Sequence, residues 1–468
     1  MITIKQQPIV CKFGGSSVAN ANQIEKVKNI IAGNKQRRYI VVSAPGRDTD
    51  HNEKITDHLI NIATDGKHFF EARKNISPEQ SKNAVTTKFA QIIGDLGIKA
   101  DGILKALKKD LDSDLEGEKR VAFVASRGEH YNAHIIAEYL NVSGITSTVK
   151  LPEEFGLIVS GRLLDAKIKP ETYANLQSIT QKDIVVVIPG FYGITEEGDI
   201  ALFSRGGSDL TGGEIAYAVN ASIYENWTDT DGIYEADPRI IPEAAVIPRL
   251  TFKEIRLLSS KGFNVFHFDA MLGCKRAKIP IMIRNTNKPS VKGTIILPER
   301  VPEEDIVGIA KLDNMAYIYL EKDMLSEELG FTQKLLALFN KYGINTFHYP
   351  TDKDDIAVLV EQEDLKGAIN NLRSDIEEQL APDFMEVIYN LSIISPVGLG
   401  LKDNAYPIAD AIIALRENNI AIQMLDQSPA HLCFHIGVPQ AHAQEAIRIL
   451  YEKLLKRDCI SQEQKERL

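Results

Sequence analysis

Cysteine is scarce. Four occur in 468 residues, Cys11, Cys274, Cys433 and Cys459, too scattered for a CxxC pair or a metal-ligand spacing. They read as the reduced thiols of a cytoplasmic protein rather than as a disulfide framework. No apolar run approaches the ~20 residues that span a bilayer, so no membrane partner is expected. No signal peptide is expected either, because a strand pattern begins almost at once, without a charged region and an apolar core. Positive charge is in deficit: the formal charge is −10, with a pI near 5.6. That balance argues against nucleic acid or an anionic membrane as the main partner. No Gly-Lys-Ser/Thr follows a glycine at P-loop spacing, and the protein-kinase catalytic loop and DFG set are also lacking.

What is present is a globular composition, 44% hydrophobic and 25% charged, in a chain long enough for about three domains. The most informative stretch is Ile9-Val10-Cys11-Lys12-Phe13-Gly14-Gly15-Ser16-Ser17-Val18. It reads as a buried strand, a lysine, two glycines and then a helix with Ile24, Val27, Ile30 and Ile31 on one face. Bare N–H groups at the turn and helix start suit an anion, Lys12 adds a cation, and Ser16 and Ser17 add hydroxyls. A phosphate fits this best; a tight turn with a surface lysine is the plainer alternative. An acidic chain that binds a nucleotide must gather its cations locally, which directs attention to Lys12, Arg205 and Arg239.

Up to about residue 300, strands alternate with helical patterns. Candidate strands cover residues 39–43, 121–125, 184–188, 222–228 and 279–284. The run at 184–188 is apolar without alternation, as expected of a strand covered on both faces. The pattern predicts a three-layer α/β sandwich with a largely parallel sheet, and ligands at the carboxyl ends of its strands. Residues 77–118 are helix-rich and expected at the rim of the substrate side. Two prolines and acidic residues at 297–304 mark a boundary. Beyond it a β-α-β-β order occurs twice: a strand at 316–320, a helix at 331–341 and strands at 344–349 and 355–360, then 391–395, 408–418, 420–425 and 431–436. Each helix runs into Gly343 or Asn419, residues suited to ending it.

Further motifs follow in order: Val41-Val42-Ser43-Ala44-Pro45-Gly46, Ser126-Arg127-Gly128-Glu129, Ile188-Pro189-Gly190-Phe191, Ser204-Arg205-Gly206-Gly207-Ser208-Asp209, and Trp227-Thr228-Asp229-Thr230-Asp231-Gly232-Ile233-Tyr234-Glu235-Ala236-Asp237-Pro238-Arg239. This ordered set resembles the aspartate kinases of the amino acid kinase family, and the resemblance covers essentially the whole chain. It implies an α/β/α amino acid kinase fold at residues 1–300, then two ferredoxin-like ACT domains at 301–385 and 386–468. One ACT unit is expected inside the other: the second within the first, with residues 384–389 and the C-terminal tail pairing across the two. The implied reaction converts ATP and L-aspartate to ADP and 4-phospho-L-aspartate, the first step toward lysine, threonine and methionine, with Mg2+ accompanying ATP. A homodimer or homotetramer through the ACT domains is implied, and no fused homoserine dehydrogenase is expected.

The residues divide by chemistry. Phosphoryl transfer needs positioning and charge neutralisation, so Lys12 is the candidate catalytic cation. Asp209 either holds Lys12, assists Mg2+ or merely caps a helix. Gly14, Gly15, Ser16 and Gly207 form the expected phosphate cradle. Arg205 offers a fork for the substrate α-carboxylate, and Glu129 a counter-charge for its ammonium. The family resemblance adds Ser43, Thr56, Gly206 and Ser208 on the substrate side. It also implies Thr228 and Asp229 at the nucleoside, and Tyr234 and Arg239 near ribose and phosphates. One departure stands out: where many aspartate kinases carry a phosphate-reaching lysine and a proline, this chain has Asn264 and Phe268. Lys261, Lys275 or Arg239 are the cations left to compensate. No general base is needed, since a carboxylate of pKa about 4 is already ionised. His130 and His134, one turn apart, read as helix packing rather than a metal pair.

In the first ACT-like unit Met324, Ser326, Gly330, Phe331 and Asp352 are the expected effector contacts. Asp323 and Glu327 nearby lean toward lysine over threonine, although a solvated acidic loop would look the same. A glutamate or acetylglutamate kinase, or a catalytically inactive amino-acid sensor, are the alternatives.

Overall fold

Alternation along the strands sets the architecture. The computed structural model describes residues 7–49, 52–72, 74–176, 184–204, 206–259 and 268–456. Among these, eight strands form one sheet: β1 Ile9–Phe13, β2 Arg37–Val42, β3 Ser147–Val149, β4 Val185–Pro189, β5 Ile223–Thr228, β6 Arg249–Thr251, β7 Ile281–Asn285 and β8 Thr294–Leu297. Their order is β6-β8-β7-β5-β1-β2-β4-β3, parallel throughout except at β7–β8. Ile9, Cys11 and Phe13 of β1 point into an apolar core shared with helices α1 Ala21–Ala32, α2 Ile55–Ala63, α3 Pro78–Leu96, α4 Asp101–Leu111 and α5 Gly117–Val142. Val10 and Lys12 therefore face the opposite side, where α6 Gly207–Ala218 runs. Helices on both faces of a mostly parallel sheet make the expected three-layer fold. No helix among the described residues is long and apolar enough to cross a membrane.

Two expectations for this part of the chain need correction. Residues 121–125 are not a strand but part of the 26-residue helix α5. This helix is covered on two sides: Val124 joins the main core, while Ala122 and Ala125 pack with Tyr192 and Leu202. Cover on two sides removes the polar stripe that would have revealed a helical period. Nor does α1 follow the glycines directly. A 3-10 turn, Gly15–Val18, intervenes, and Asn20 caps α1 by accepting from the Gln23 N–H at 3.1 Å. Helices α3 and α4 fill the segment expected to be helix-rich, with Ser77 and Gln80 forming a capping box.

The chain divides into two units. The first holds the chain up to Ile233 and most of the rest up to Arg300; the second holds Tyr234–Ala245, a short part from Lys253, and the chain from Val301. In the second unit β9 Gly308–Glu321, β10 Thr346–His348, β11 Asp355–Glu361, β12 Phe384–Val397, β13 Met424–Gln427 and β14 Phe434–Pro439 form a second sheet. It is antiparallel, in the order β10-β11-β9-β12-β14-β13. Helices α7 Phe331–Lys341 and α8 Ile369–Leu380 cover one half, α9 Tyr406–Glu417 and α10 Ala443–Leu454 the other. The order is thus β-α-β-β-α-β, with α8 and α10 not foreseen.

The two long strands β9 and β12 change register where Asn314 and Asn390 adopt left-handed φ of 57° and 56°. Met315–Glu321 pairs with β11 and the first half of β12, closing one module. Gly308–Leu312 instead pairs with Ile393–Val397, beside β14, closing the other. The nesting is therefore the reverse of that expected: the first module sits inside the second, because a strand preceding it finds its partner only beyond it. Residues 384–389 pair within the first module, and the C-terminal tail after Lys456 lies outside the described residues. Strands at opposite ends of the sheet order, β10 and β13, nevertheless meet, with His348 Nδ1 at 3.2 Å from Asp426 Oδ2. The sheet doubles over, enclosing Met315, Leu359, Leu391, Ile393 and Met424.

Candidate active site

A cavity of about 1010 Å³ opens in the first unit where β1 and β2 end and α6 begins. Three backbone turns shape it. The turn after β2 is tied to the turn after β1, since the Gly46 N–H donates to the Gly15 carbonyl at 2.9 Å. The third is the start of α6, where Gly206 has φ 76°. The first N–H groups of a helix have no partner within it, so those of Gly207, Ser208 and Asp209 favour an anion. This turn follows a small hairpin, Tyr192–Ile194 with Ile200–Leu202, rather than a strand of the main sheet.

The cation stands in the middle. Lys12 is buried and makes an ion pair of 2.5 Å with Asp209 Oδ1. The same oxygen accepts from Asn226 Nδ2 at 2.9 Å. Asn226 is the residue directly opposite Lys12 in the β1–β5 register, so strand pairing builds this triad. Sequence reasoning did not single out Asn226, and its register with Lys12 was the available signal.

Glu129 enters from α5. Residue 128 must be glycine for this approach: a Cβ there would lie 2.7 Å from the Ala44 Cβ. Glu129 is buried, lines the cavity and has one carboxylate oxygen without a hydrogen-bond partner. Burial pushes its carboxyl up to about 8, against hydrogen bonds from the backbone at Ala44 and its own residue. One turn on, Asn132 donates to the Ser43 carbonyl at 2.7 Å and holds the β2 turn in place. His130 faces Tyr192, and burial lowers it to about 2, so it is neutral.

The other foreseen residues divide. Lys12, Gly15, Ser16, Ser43, Thr56, Glu129, Gly206, Gly207, Ser208, Asp209 and Asp229 come together around the cavity. Gly14 does not line it, because its N–H donates to the Trp227 carbonyl at 3.1 Å and continues the sheet. The Ser17 hydroxyl is buried against Thr286 Oγ1 at 2.7 Å. Thr228 turns its hydroxyl to Asp229 at 3.1 Å and stands off the lining. Tyr234 and Arg239 fall in the second unit, where Tyr234 packs on an apolar core and Arg239 pairs with Asp237 at 2.6 Å. Arg205, Lys261 and Asn264 lie outside the described residues, as does the Phe268 side chain. Arg47 and Lys54 line the cavity and were not foreseen; both sit in the loop after Gly46, which carries no motif of its own.

The foreseen effector turn is a real turn. Met324 has φ 60° and is exposed, and its N–H donates to Asp354 Oδ1 at 2.9 Å. The Ser326 N–H donates to the Lys353 carbonyl at 2.9 Å, which draws the Asp352 loop alongside. Gly330, with φ 82°, starts α7. The Phe331 side chain is buried in the module's core under the Lys322 ammonium. It supports the turn from below and does not face an effector.

The model of the amino acid kinase family matches residues 7–285. Aspartokinase 3 of Bacillus subtilis is 34% identical over 459 residues, covering 97% of this chain and 100% of the relative. The crystal structure of Clostridium acetobutylicum aspartate kinase superposes with a TM-score of 0.82 at 33% identity, covering 96% of this chain and 100% of that one. E. coli aspartokinase III, solved with aspartate and ADP, shares the fold at a TM-score of 0.75 and 21% identity over 96% of this chain and 100% of its own. The chain belongs to the amino acid kinase family and, within it, to the aspartokinases.

Proposed function

We propose that the protein transfers the γ-phosphoryl group of ATP to the β-carboxylate of L-aspartate, forming ADP and 4-phospho-L-aspartate. The observation that carries this reading is one cavity holding both a Lys12–Asp209 pair among anion-seeking turns and a buried, half-partnered carboxylate at Glu129. The first suits a phosphoryl group and the second an ammonium.

The aspartate β-carboxylate is ionised at neutral pH and attacks phosphorus itself. The bond to the β,γ-bridging oxygen breaks, and ADP leaves with that electron pair. Lys12 neutralises charge on the transferred oxygens, while Asp209 and Asn226 keep its ammonium aimed. Glu129 takes the substrate ammonium, and Arg205 takes the α-carboxylate. Gly15, Ser16, Gly207 and Asp229 serve the nucleotide, with Thr228 and Asn264 assigned there by family resemblance.

A nucleotide-bound Mg2+ keeps most of its waters and asks for one or two carboxylates. Among the described residues Asp209 engages Lys12 and Asn226 through one oxygen, and Asp229 shares the lining, so the residues fit; the ion would supply charge neutralisation on the phosphates. The turn Met324–Gly330 with Asp352 is assigned to a feedback amino acid, lysine before threonine, and the ACT modules to homo-oligomer contacts.

A hydroxamate assay tests the activity. Acyl phosphate should accumulate with ATP, Mg2+ and L-aspartate, and not with glutamate or N-acetylglutamate. Turnover on either of the latter assigns a different acceptor. Binding of both ligands by calorimetry without turnover assigns a sensor.

A further inference from the structure

Away from the active-site cavity, the described residues bring one group of metal-ligating side chains together: His348 on β10, Asp426 on β13 and His435 on β14, with ligand atoms all within 4.8 Å of one another. They come from both modules and meet because the sheet doubles over. Alternation aims them inward. Phe434, Ile436 and Val438 enter the second module's helix-covered core, so His435 points to the opposite, inner face. Asp426 shares a face with Met424, which lies in the apolar cluster between the two halves.

One separation in the group is close to that of a coordination shell. His348 Nδ1 and Asp426 Oδ2 are 3.2 Å apart, whereas two ligands at 2.0–2.2 Å on a tetrahedral ion stand about 3.3–3.5 Å apart. The two imidazole rings lie 4.4 Å apart and tilted by 53°. His435 is fixed from behind, because its Nδ1 is 2.8 Å from the buried Ser395 hydroxyl. A contact at one ring nitrogen is what orients a metal-bound imidazole. The Cys433 thiol lies 3.6 Å from Nε2. His435 is buried, while His348 and Asp426 are part-exposed, which leaves a way in.

We propose that His348, Asp426 and His435 bind a divalent transition metal ion of the zinc class, bridging the two nested modules. Two imidazoles and one carboxylate select such an ion over Mg2+, which prefers oxygen ligands alone, so this site is separate from any metal that travels with the nucleotide.

Co2+ is the probe. The full chain, stripped with chelator and titrated without nucleotide, should take up one equivalent with the intense visible bands of a four-coordinate ion, and Zn2+ should displace them. His348→Gln and Asp426→Asn alter part-exposed side chains that the fold tolerates, and circular dichroism checks that it does. Each should weaken Co2+ binding by at least about 10–100-fold, since even outer-shell changes cost that much. Asp209→Asn should leave the titration unchanged. Absence of bands at equimolar Co2+, or bands undiminished in both ligand variants, overturns the proposal.

Discussion

Burial sets the behaviour of Glu129. With its carboxyl pushed up to about 8 from 4.5, the folded chain holds a proton that the unfolded chain has lost throughout that interval. Stability from this group is therefore complete below 4.5 and is lost as pH rises through 8. Glu129→Gln removes that slope, at about 1.4 kcal/mol per pH unit. Its melting temperature should match the wild type at pH 5 and exceed it by several degrees at pH 8; parallel curves would refute the assignment. The same carboxylate must ionise to hold an ammonium, so the KM for aspartate should fall between pH 6 and 8 in the wild type and stay flat in the variant. Lys12 answers to a different measurement. Lys12→Ala should lower kcat by about 10²–10³, the usual effect of losing one transition-state donor, and leave aspartate affinity nearly intact by calorimetry. Lys12, Asp209 and Glu129 were legible because each sits in a short motif whose chemistry is local. Asn226 was hidden because its role comes from strand register, and Arg47 and Lys54 because a loop of ordinary composition carries them.

At the scale of elements, α5 repays attention. Its apolar residues feed two cores at once, so periodicity could not distinguish it from a buried strand. The sheet strands β1, β4 and β5 were readable for the opposite reason, since short runs ending in glycine or a polar turn have few other solutions. The close passage of α5 over the β2 turn can be tested directly. Gly128→Ala puts a Cβ 2.7 Å from Ala44 and 3.1 Å from Leu59, and such overpacking costs about 1–3 kcal/mol. Because Glu129 moves with the helix, the KM for aspartate should rise while that for ATP holds. Equal effects on both substrates would mean a general loss of fold instead.

For the molecule as a whole, the regulatory half was legible as a repeat and illegible as a topology. The β-α-β-β spacing of the two copies can be counted along the chain. That Gly308–Leu312 pairs beyond the first module, or that Tyr234–Ala245 packs in the second unit, is decided by distant partners that leave no local mark. Regulation gives the prediction at this scale. Millimolar lysine should inhibit, with a coupling of about 1–3 kcal/mol seen as a roughly 5- to 150-fold shift in substrate affinity. Met324→Ala and Gly330→Ala should relieve inhibition without lowering uninhibited turnover. No atom would crowd the added methyl at residue 330, so that change acts through its φ of 82° alone. Activity indifferent to lysine transfers the proposal to threonine.

The nested strands carry one more consequence. Met315 and Leu391 stand opposite each other, and so do Leu312 and Ile393 on the host side. Everything between Met315 and Leu391 is thus a detour whose entrance and exit are neighbours, like a bay opening off a corridor. Such a segment can be lengthened, duplicated or exchanged for another effector-reading module by two cuts at one place, while the host strands keep their register. New feedback specificities in this architecture follow from a graft at Asn314 and Asn390, the two asparagines where the strands already turn, provided the incoming module restores the apolar contact with Ile393 and Met424.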